Sequence, residues 1–536
     1  MSGAADAAPP GWGRGLGNAA IIVATATLGS KLLGFLRDTV MADRFGAGHL
    51  TDAYIDASFI PLALFAAVGV AIQTVFIPLL SSLLAREGEA DAETFAANVN
   101  GAVSTAVLVL ILVLEVGAGL AVDVMGHGLD PEAHRLAVSM VRIMSPLIMF
   151  YAWSGIVGGA LNVRGFFGPN AAMGIPQNLI IIGAIIAGSL GGRKDIMLVA
   201  WGSLVGTATT YLIQLPALRR SGLRVGWRFD FRNPRLVQML RLVVPAALTA
   251  MAQQLGLGVD RALGSGLRPE GLLTDLTYAG RLQLLAYSIM GLSISTVLLP
   301  RLAAAAARGD MRGFRQAFAR GLGLVNFVTL PVVVGLFLLR TPVVRVVFMH
   351  GAFAPASVAP TAYALAFLTL GTLGYGWQDY LNRTFFALQD TRDPMIGGFI
   401  AVAVNVVLDF LLVGPLQQGG LALGTATGWT CASVYLAVRL RGRLGLLGGR
   451  ELFSGGARML VAACAGFVPA ALLYPRVVAY LGGGRWSGYA FGLVLVVCAA
   501  TGIYGGVCAL LRVSEVGFAA ALVRGRASGG GGGRSA

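Results

Sequence analysis

The chain has 536 residues, of which 56% are hydrophobic and only 12% charged, and its formal net charge is +15. So little charge over such a length excludes an ordinary soluble globular protein. The basic excess has no soluble basic domain to carry it, which excludes nucleic-acid binding as its explanation.

Apolar runs, each able to cross roughly 30 Å of hydrocarbon, recur along the chain. They predict an all-α polytopic membrane protein of about fourteen transmembrane helices. These spans are expected at 18–43, 54–86, 94–125, 133–160, 170–190, 195–218, 236–262, 272–305, 315–340, 357–385, 394–414, 420–439, 456–480 and 486–511. The polar head, 1–17, shows no cleavable signal, because the first apolar run continues into Arg37-Asp38. The tail, 512–536, ends in SGGGGGRSA and is expected to be disordered.

A block of the chain occurs twice. Thr51-Asp52 answers Thr274-Asp275, Pro78 answers Pro300, and Tyr151 and Trp153 answer Tyr375 and Trp377. GTAT at 206–209 returns at 424–427. The repeat predicts two pseudo-symmetric six-helix lobes, 18–235 and 236–450, with the last two spans, 451–511, as an addition. A duplicated bundle is the usual plan of a transporter whose halves rock about a central site. One chain then supplies both lobes, so a monomer suffices.

Arginines set the expected orientation. Arg219, Arg220, Arg224, Arg228, Arg232 and Arg235 lie between spans 6 and 7, and Arg301, Arg308, Arg312, Arg315 and Arg320 follow span 8. Arg439, Arg441, Arg443 and Arg450 follow span 12, while VGPLQQGG on the opposite side has no charge. The positive-inside rule puts both termini in the cytoplasm. Cys431, Cys464, Cys498 and Cys508 have no paired spacing, and His49, His127, His134 and His350 are scattered, so no disulfide framework, zinc site or histidine catalytic centre is expected. The short loops also leave no room for an extramembrane catalytic domain with paired acids or a metal.

Ionisable groups inside spans are costly and mark cavities or partners. Span 1 carries Lys31, Arg37 and Asp38, and span 2 opens with Asp52 and Asp56 on one face. Lys31 and Arg37 sit about 240° apart round the helix and some 9 Å along it, so they border one broad cavity rather than form one fork. Arg281 lies in span 8. Together these cations suit an anionic headgroup, because guanidinium donors match phosphate oxygens. The plainer reading is that Arg37 pairs with Asp38 or Asp52 and the rest snorkel. A second set is rich in oxygen: Asp260 in span 7, Asn405 and Asp409 one turn apart in span 11, and Thr425 in span 12. With a backbone carbonyl it suits a hard cation, or else interhelical hydrogen bonds around one protonated acid.

GSKLLGFLRD, FGAGHLTDAY, QTVFIPLL, LTYAGRL, FMHGAFAPASV, ALQDTRDP and NVVLDFLLVGPLQQGGLALGTATG, in this order, resemble the MurJ (MviN) family. These are lipid II flippases of the multidrug/oligosaccharidyl-lipid/polysaccharide exporter superfamily. The resemblance implies a carrier that moves lipid II from the cytoplasmic to the outer leaflet of a bacterial inner membrane by alternating access. It implies a central cationic cavity with Ser30, Lys31, Arg37, Asp52 and Arg281 as substrate-binding residues, and a groove for the lipid tail along the last two spans. It also implies a sodium site at Asp260, Asn405, Asp409, the Leu421 carbonyl and Thr425, with sodium as coupling ion and no tightly bound cofactor. Lys31 stands where the family keeps an arginine. In span 2, Phe65-Ala66 stands near the family's arginine pair, and the family's Glu-Gly is missing. That departure leaves two rivals in view, an exporter of another polyprenyl-diphosphate-linked glycan and a cation-coupled drug antiporter.

Overall fold

The computed structural model describes residues 12–71, 75–126, 128–230, 232–445, 449–481 and 485–517. The expected polar head up to residue 11, Thr74 of the repeat, His127 and the expected tail from 518 lie outside them. The described residues are helical, with short connections and no strand among them. They form two compact units, Met1–Gly271 with Gly351–Phe353, and Leu272–His350 with Ala354–Ala536.

The first unit holds α1 (Trp12–Phe45), α2 (His49–Ala71), α3 (Ile77–Arg86), α4 (Glu89–Met125), α5 (Pro131–Met144), α6 (Leu147–Val163), α7 (Gly168–Ala172), α8 (Gly174–Gly188), α9 (Ile196–Leu212), α10 (Leu215–Ser221) and α11 (Pro234–Ser265). The expected spans 4, 5 and 6 are thus each interrupted. Between α5 and α6 the cause is Pro146, which has no N–H to continue the ladder. Starts are capped as short polar side chains allow: Asp130 Oδ1 accepts from Ala133 N at 2.8 Å, and Asn233 Oδ1 from Arg235 N at 3.0 Å. The repeat places α11 at the head of the second lobe, but α11 packs on α2 and α4 and so groups with the first unit.

The second unit holds α12 (Leu272–Ala307), α13 (Met311–Leu338), α14 (Arg340–Phe348), α15 (Pro355–Ala387), α16 (Arg392–Leu416), α17 (Gln418–Leu444), α18 (Gly449–Tyr480) and α19 (Trp486–Leu510). The short α14 occupies a stretch expected as loop. Small residues let helices approach closely: Gly371 of α15 faces Ala426 of α17, and Gly466 of α18 faces the Ala500 carbonyl of α19. The α18–α19 pair docks on α13 through Leu330, Val334, Phe467, Tyr474 and Ala500, and Tyr504 Oη donates to the Phe327 carbonyl at 2.6 Å.

Ten helical stretches of the described residues are long and apolar enough to cross a membrane. The other expected spans correspond to α1, α2–α3, α11 and α12. Large apolar side chains cover outer faces, among them Val116 of α4, 87% exposed, and Phe491 of α19. Such faces suit lipid as the surrounding solvent.

Candidate functional site

In α1, the Arg37 guanidinium reaches the neighbouring Asp38 Oδ1 twice, from Nε at 3.0 Å and Nη2 at 2.7 Å. The pair keeps partial access, with side chains 25% and 15% exposed. Lys31 is exposed and, among the described residues, makes no ion pair. Ser30 sits where α1 crosses α8: its hydroxyl faces Gly174, and Asn178 Nδ2 donates to the Ser30 carbonyl at 3.4 Å. Asp52 is buried and accepts the Gly271 N–H at 2.8 Å, which ties the start of α2 to the segment after α11. Arg281 is exposed on α12 in the second unit.

Polar and aromatic side chains stand near Arg37, Tyr54 and Tyr151 among them. Tyr54 Oη and Ser203 Oγ are 2.9 Å apart, and Phe65 stacks on Tyr151 with centroids at 5.1 Å. Gln177 Nε2 donates to Tyr151 Oη at 2.7 Å and to Thr207 Oγ1 at 3.1 Å. Phe65, which the sequence places near the family's arginine pair, is thus taken up in an aromatic stack.

Asn405, Asp409 and Thr425 of the oxygen-rich set come together in the second unit. Asn405 Nδ2 donates to Asp409 Oδ2 at 2.9 Å and to Thr425 Oγ1 at 3.3 Å. Asp409 and Leu421 are fully buried, and Gly424 of α17 faces the Asp409 carboxylate. Asp260 lies on α11 in the first unit.

The repeat supplies an internal control for this cluster. In the first unit Gln177 donates to Thr207 of the first GTAT, as Asn405 does to Thr425 of the second. Gly206 faces the Gln177 carbonyl and Ile181, whereas Gly424 faces the Asn405 carbonyl and Asp409. The same helix crossing therefore packs with isoleucine in one unit and aspartate in the other. Packing does not require the carboxylate, and a buried carboxylate beside an amide and a hydroxyl has donor chemistry that fits a hard cation. The described residues hold no cluster of three or more His, Cys, Asp or Glu suited to a metal ion.

Two further constellations were not singled out from the sequence. Tyr287 Oη donates to Asp379 Oδ2 at 3.0 Å, and Arg383 Nε reaches the same oxygen at 3.1 Å. An acid and an arginine one turn apart in an apolar helix were the available signal. At the start of α16, buried Asp393 accepts from Arg439 Nε at 3.0 Å, Arg443 Nη2 at 2.7 Å and Tyr435 Oη at 3.2 Å. Asp390 beside it lies outside the spans. Burial acts to raise its pKa, but the N–H groups of Asp393 and Arg392 and the Arg443 guanidinium outweigh that and hold it below the usual carboxylate range.

Comparison with known proteins bears on what this arrangement serves. The family model described as "Lipid II flippase MurJ" matches residues 41–487. A probable lipid II flippase MurJ of Rhizobium tropici is 31% identical over 435 residues, covering 79% of this chain and 81% of the relative. The lipid II flippase MurJ of Burkholderia cenocepacia is 28% identical over 433 residues, covering 79% and 84%. Among solved structures, a lipid II flippase MurJ in an inward closed conformation superposes with a TM-score of 0.73 at 25% identity, over 90% of this chain and 98% of that one. An inward-facing multidrug resistance transporter of the MATE family shares the fold, with a TM-score of 0.65 at 17% identity over 80% and 99%.

Proposed function

Since this chain belongs to the lipid II flippase MurJ family, we propose that it carries the lipid-linked peptidoglycan precursor lipid II from the cytoplasmic to the outer leaflet of the bacterial inner membrane. It acts as a transporter rather than an enzyme, by alternating access, with both termini in the cytoplasm and one chain as the working unit. The family match over most of the chain carries this reading, and the accessible Arg37 beside Asp38 supplies chemistry for it.

Lipid II bears a diphosphate, and moving that charge unaided through hydrocarbon would strip its hydration. Arg37, Lys31 and Arg281 replace water for the phosphate oxygens while the isoprenoid tail stays in lipid or along α18 and α19. Arg37 is held by Asp38 in a fixed direction, so its guanidinium is ordered before substrate arrives. Ser30 and Asp52 serve the substrate by setting the α1–α8 crossing and the start of α2. A sodium ion, when bound, supplies a countercharge to Asp409. Asn405, Thr425, the Leu421 carbonyl and Asp260 are the other residues that would hold it. Each charge moved through 100 mV changes the balance between states by about 2.3 kcal/mol, so the membrane potential can help reset the carrier. A ligand shifts that balance only by binding the states unequally.

The test is complementation of a conditional strain depleted of its own lipid II flippase, with wild type, Arg37→Ala and Arg281→Ala side by side. Rescue by wild type alone is expected. A well-expressed wild type that does not rescue would move the substrate to another polyprenyl-diphosphate-linked glycan, the reading favoured by Phe65-Ala66 near the family's arginine pair.

A further inference from the structure

A polar cavity of about 420 Å³ lies within the second unit where α13, the first turns of α18 and the residues after α19 meet. Arg320, Arg458 and Arg512 line it, together with Asn326, Ser454 and Glu515. Among the described residues, none of the three guanidiniums forms an ion pair, although Glu515 shares the cavity. Among the described residues, the one hydrogen bond of the Arg458 side chain is a long one, Nη1 to the Leu511 carbonyl at 3.5 Å. Residues 512–517, expected from the sequence to belong to a disordered tail, are ordered here.

The way Arg512 is held points to a purpose. The N–H groups of Arg512 and Val513 bond back to the carbonyls of Ala509 and Cys508, at 3.1 and 2.9 Å, which ends α19 in a tight reverse turn. That turn puts Arg512 at φ 53°, a left-handed conformation that glycine adopts freely and a long side chain does not. Strain of this kind persists where function keeps it. Gly323, meanwhile, leaves room for the Glu515 carboxylate against α13, where a Cβ would collide with it.

The surroundings identify the ligand class. Three guanidiniums against one carboxylate, with an amide and a hydroxyl beside them, match the several oxygens and net charge of a phosphate group. Phe453 precedes the lining residue Ser454 and Leu510 lies two residues before Arg512, and each is 82% exposed, so the chain entering the cavity carries exposed apolar side chains suited to lipid. We propose that this cavity binds the phosphate headgroup of an anionic phospholipid, and that Glu515 is the internal carboxylate the headgroup displaces. The leaflet, the cytoplasmic one, rests on the orientation proposed above; the binding does not.

The full chain, purified in detergent, is titrated with short-chain phosphatidylglycerol, phosphatidylcholine and inorganic phosphate. Saturable binding of phosphatidylglycerol over phosphatidylcholine is expected, weakened about tenfold by Arg320→Ala or Arg512→Ala. Glu515→Gln should tighten it, a gain that misfolding cannot mimic. Saturation by inorganic phosphate with none by phosphatidylglycerol overturns the lipid source and assigns a free anion. Equal binding of both lipids, unchanged by the three variants, overturns the site itself. Neither result touches complementation by the wild type, so failure here stays separate from failure of the transport reading.

Discussion

Arg37 directs two of its nitrogens at one oxygen of Asp38, so the charge is partly balanced yet still accessible. Removing it leaves Asp38 without that partner in an apolar helix, a worse outcome than deleting both. Arg37→Ala is therefore expected to abolish complementation, while Arg37→Lys, which keeps the charge and loses the planar donors, should retain a fraction of it. Asp409 permits a cleaner test because Ile181 occupies its counterpart in the first unit. Asp409→Ile should leave the folded protein at near wild-type thermal stability and erase any sodium-dependent rise in Tm. A variant that keeps the sodium-dependent rise would remove Asp409 from the site. Asp390 gives a pH prediction. Its folded form favours the carboxylate, so its contribution is present above the ordinary value of about 4 and is lost as pH falls through its lower folded value. Asp390→Asn should flatten that acid limb in a plot of Tm against pH.

At the scale of elements, the two units use the same devices with different residues. Trp153 Nε1 donates to Ser104 Oγ at 2.9 Å, and Trp377 Nε1 donates to Asn326 Oδ1 at 2.6 Å. Phe65 stacks on Tyr151, and Tyr287 meets Tyr375 edge-on at 4.8 Å. Helix crossings depend on small residues, because lipid offers no hydrophobic drive for helices to associate. Gly371→Ala would press a methyl into Ala426 of α17 and should cost about 1–3 kcal/mol, read as a lower Tm. Segment breaks were less legible than segments. Pro146 was a visible signal for the break between α5 and α6, but α14 is too short and too mixed in character to announce itself beside a long span.

Across the whole molecule, ionisable residues sit inside expected spans, among them Arg37 of α1, Asp52 of α2 and Arg281 of α12. A carrier of a charged headgroup must keep such residues and accept their cost. If sodium and the potential both bias the carrier, collapsing either gradient in vesicles should slow lipid II movement, and Asp409→Ala should respond to the potential alone.

Sequence by itself determined the all-α polytopic membrane class, the internal repeat and the family, because hydropathy, periodicity and ordered motifs are local properties of a chain. It also picked out Arg37 and the Asn405–Asp409 turn, since a charge or an amide inside an apolar run is conspicuous. Only the tertiary structure decided that Asp52 accepts the Gly271 N–H, that α11 groups with the first unit, and that Asn405 reaches Thr425 on another helix. It alone brought Arg320, Arg458 and Arg512 to one cavity. The physical reason is shared: which helices touch depends on glycine-sized gaps and paired polar atoms spread over distant segments, and no local pattern records that meeting.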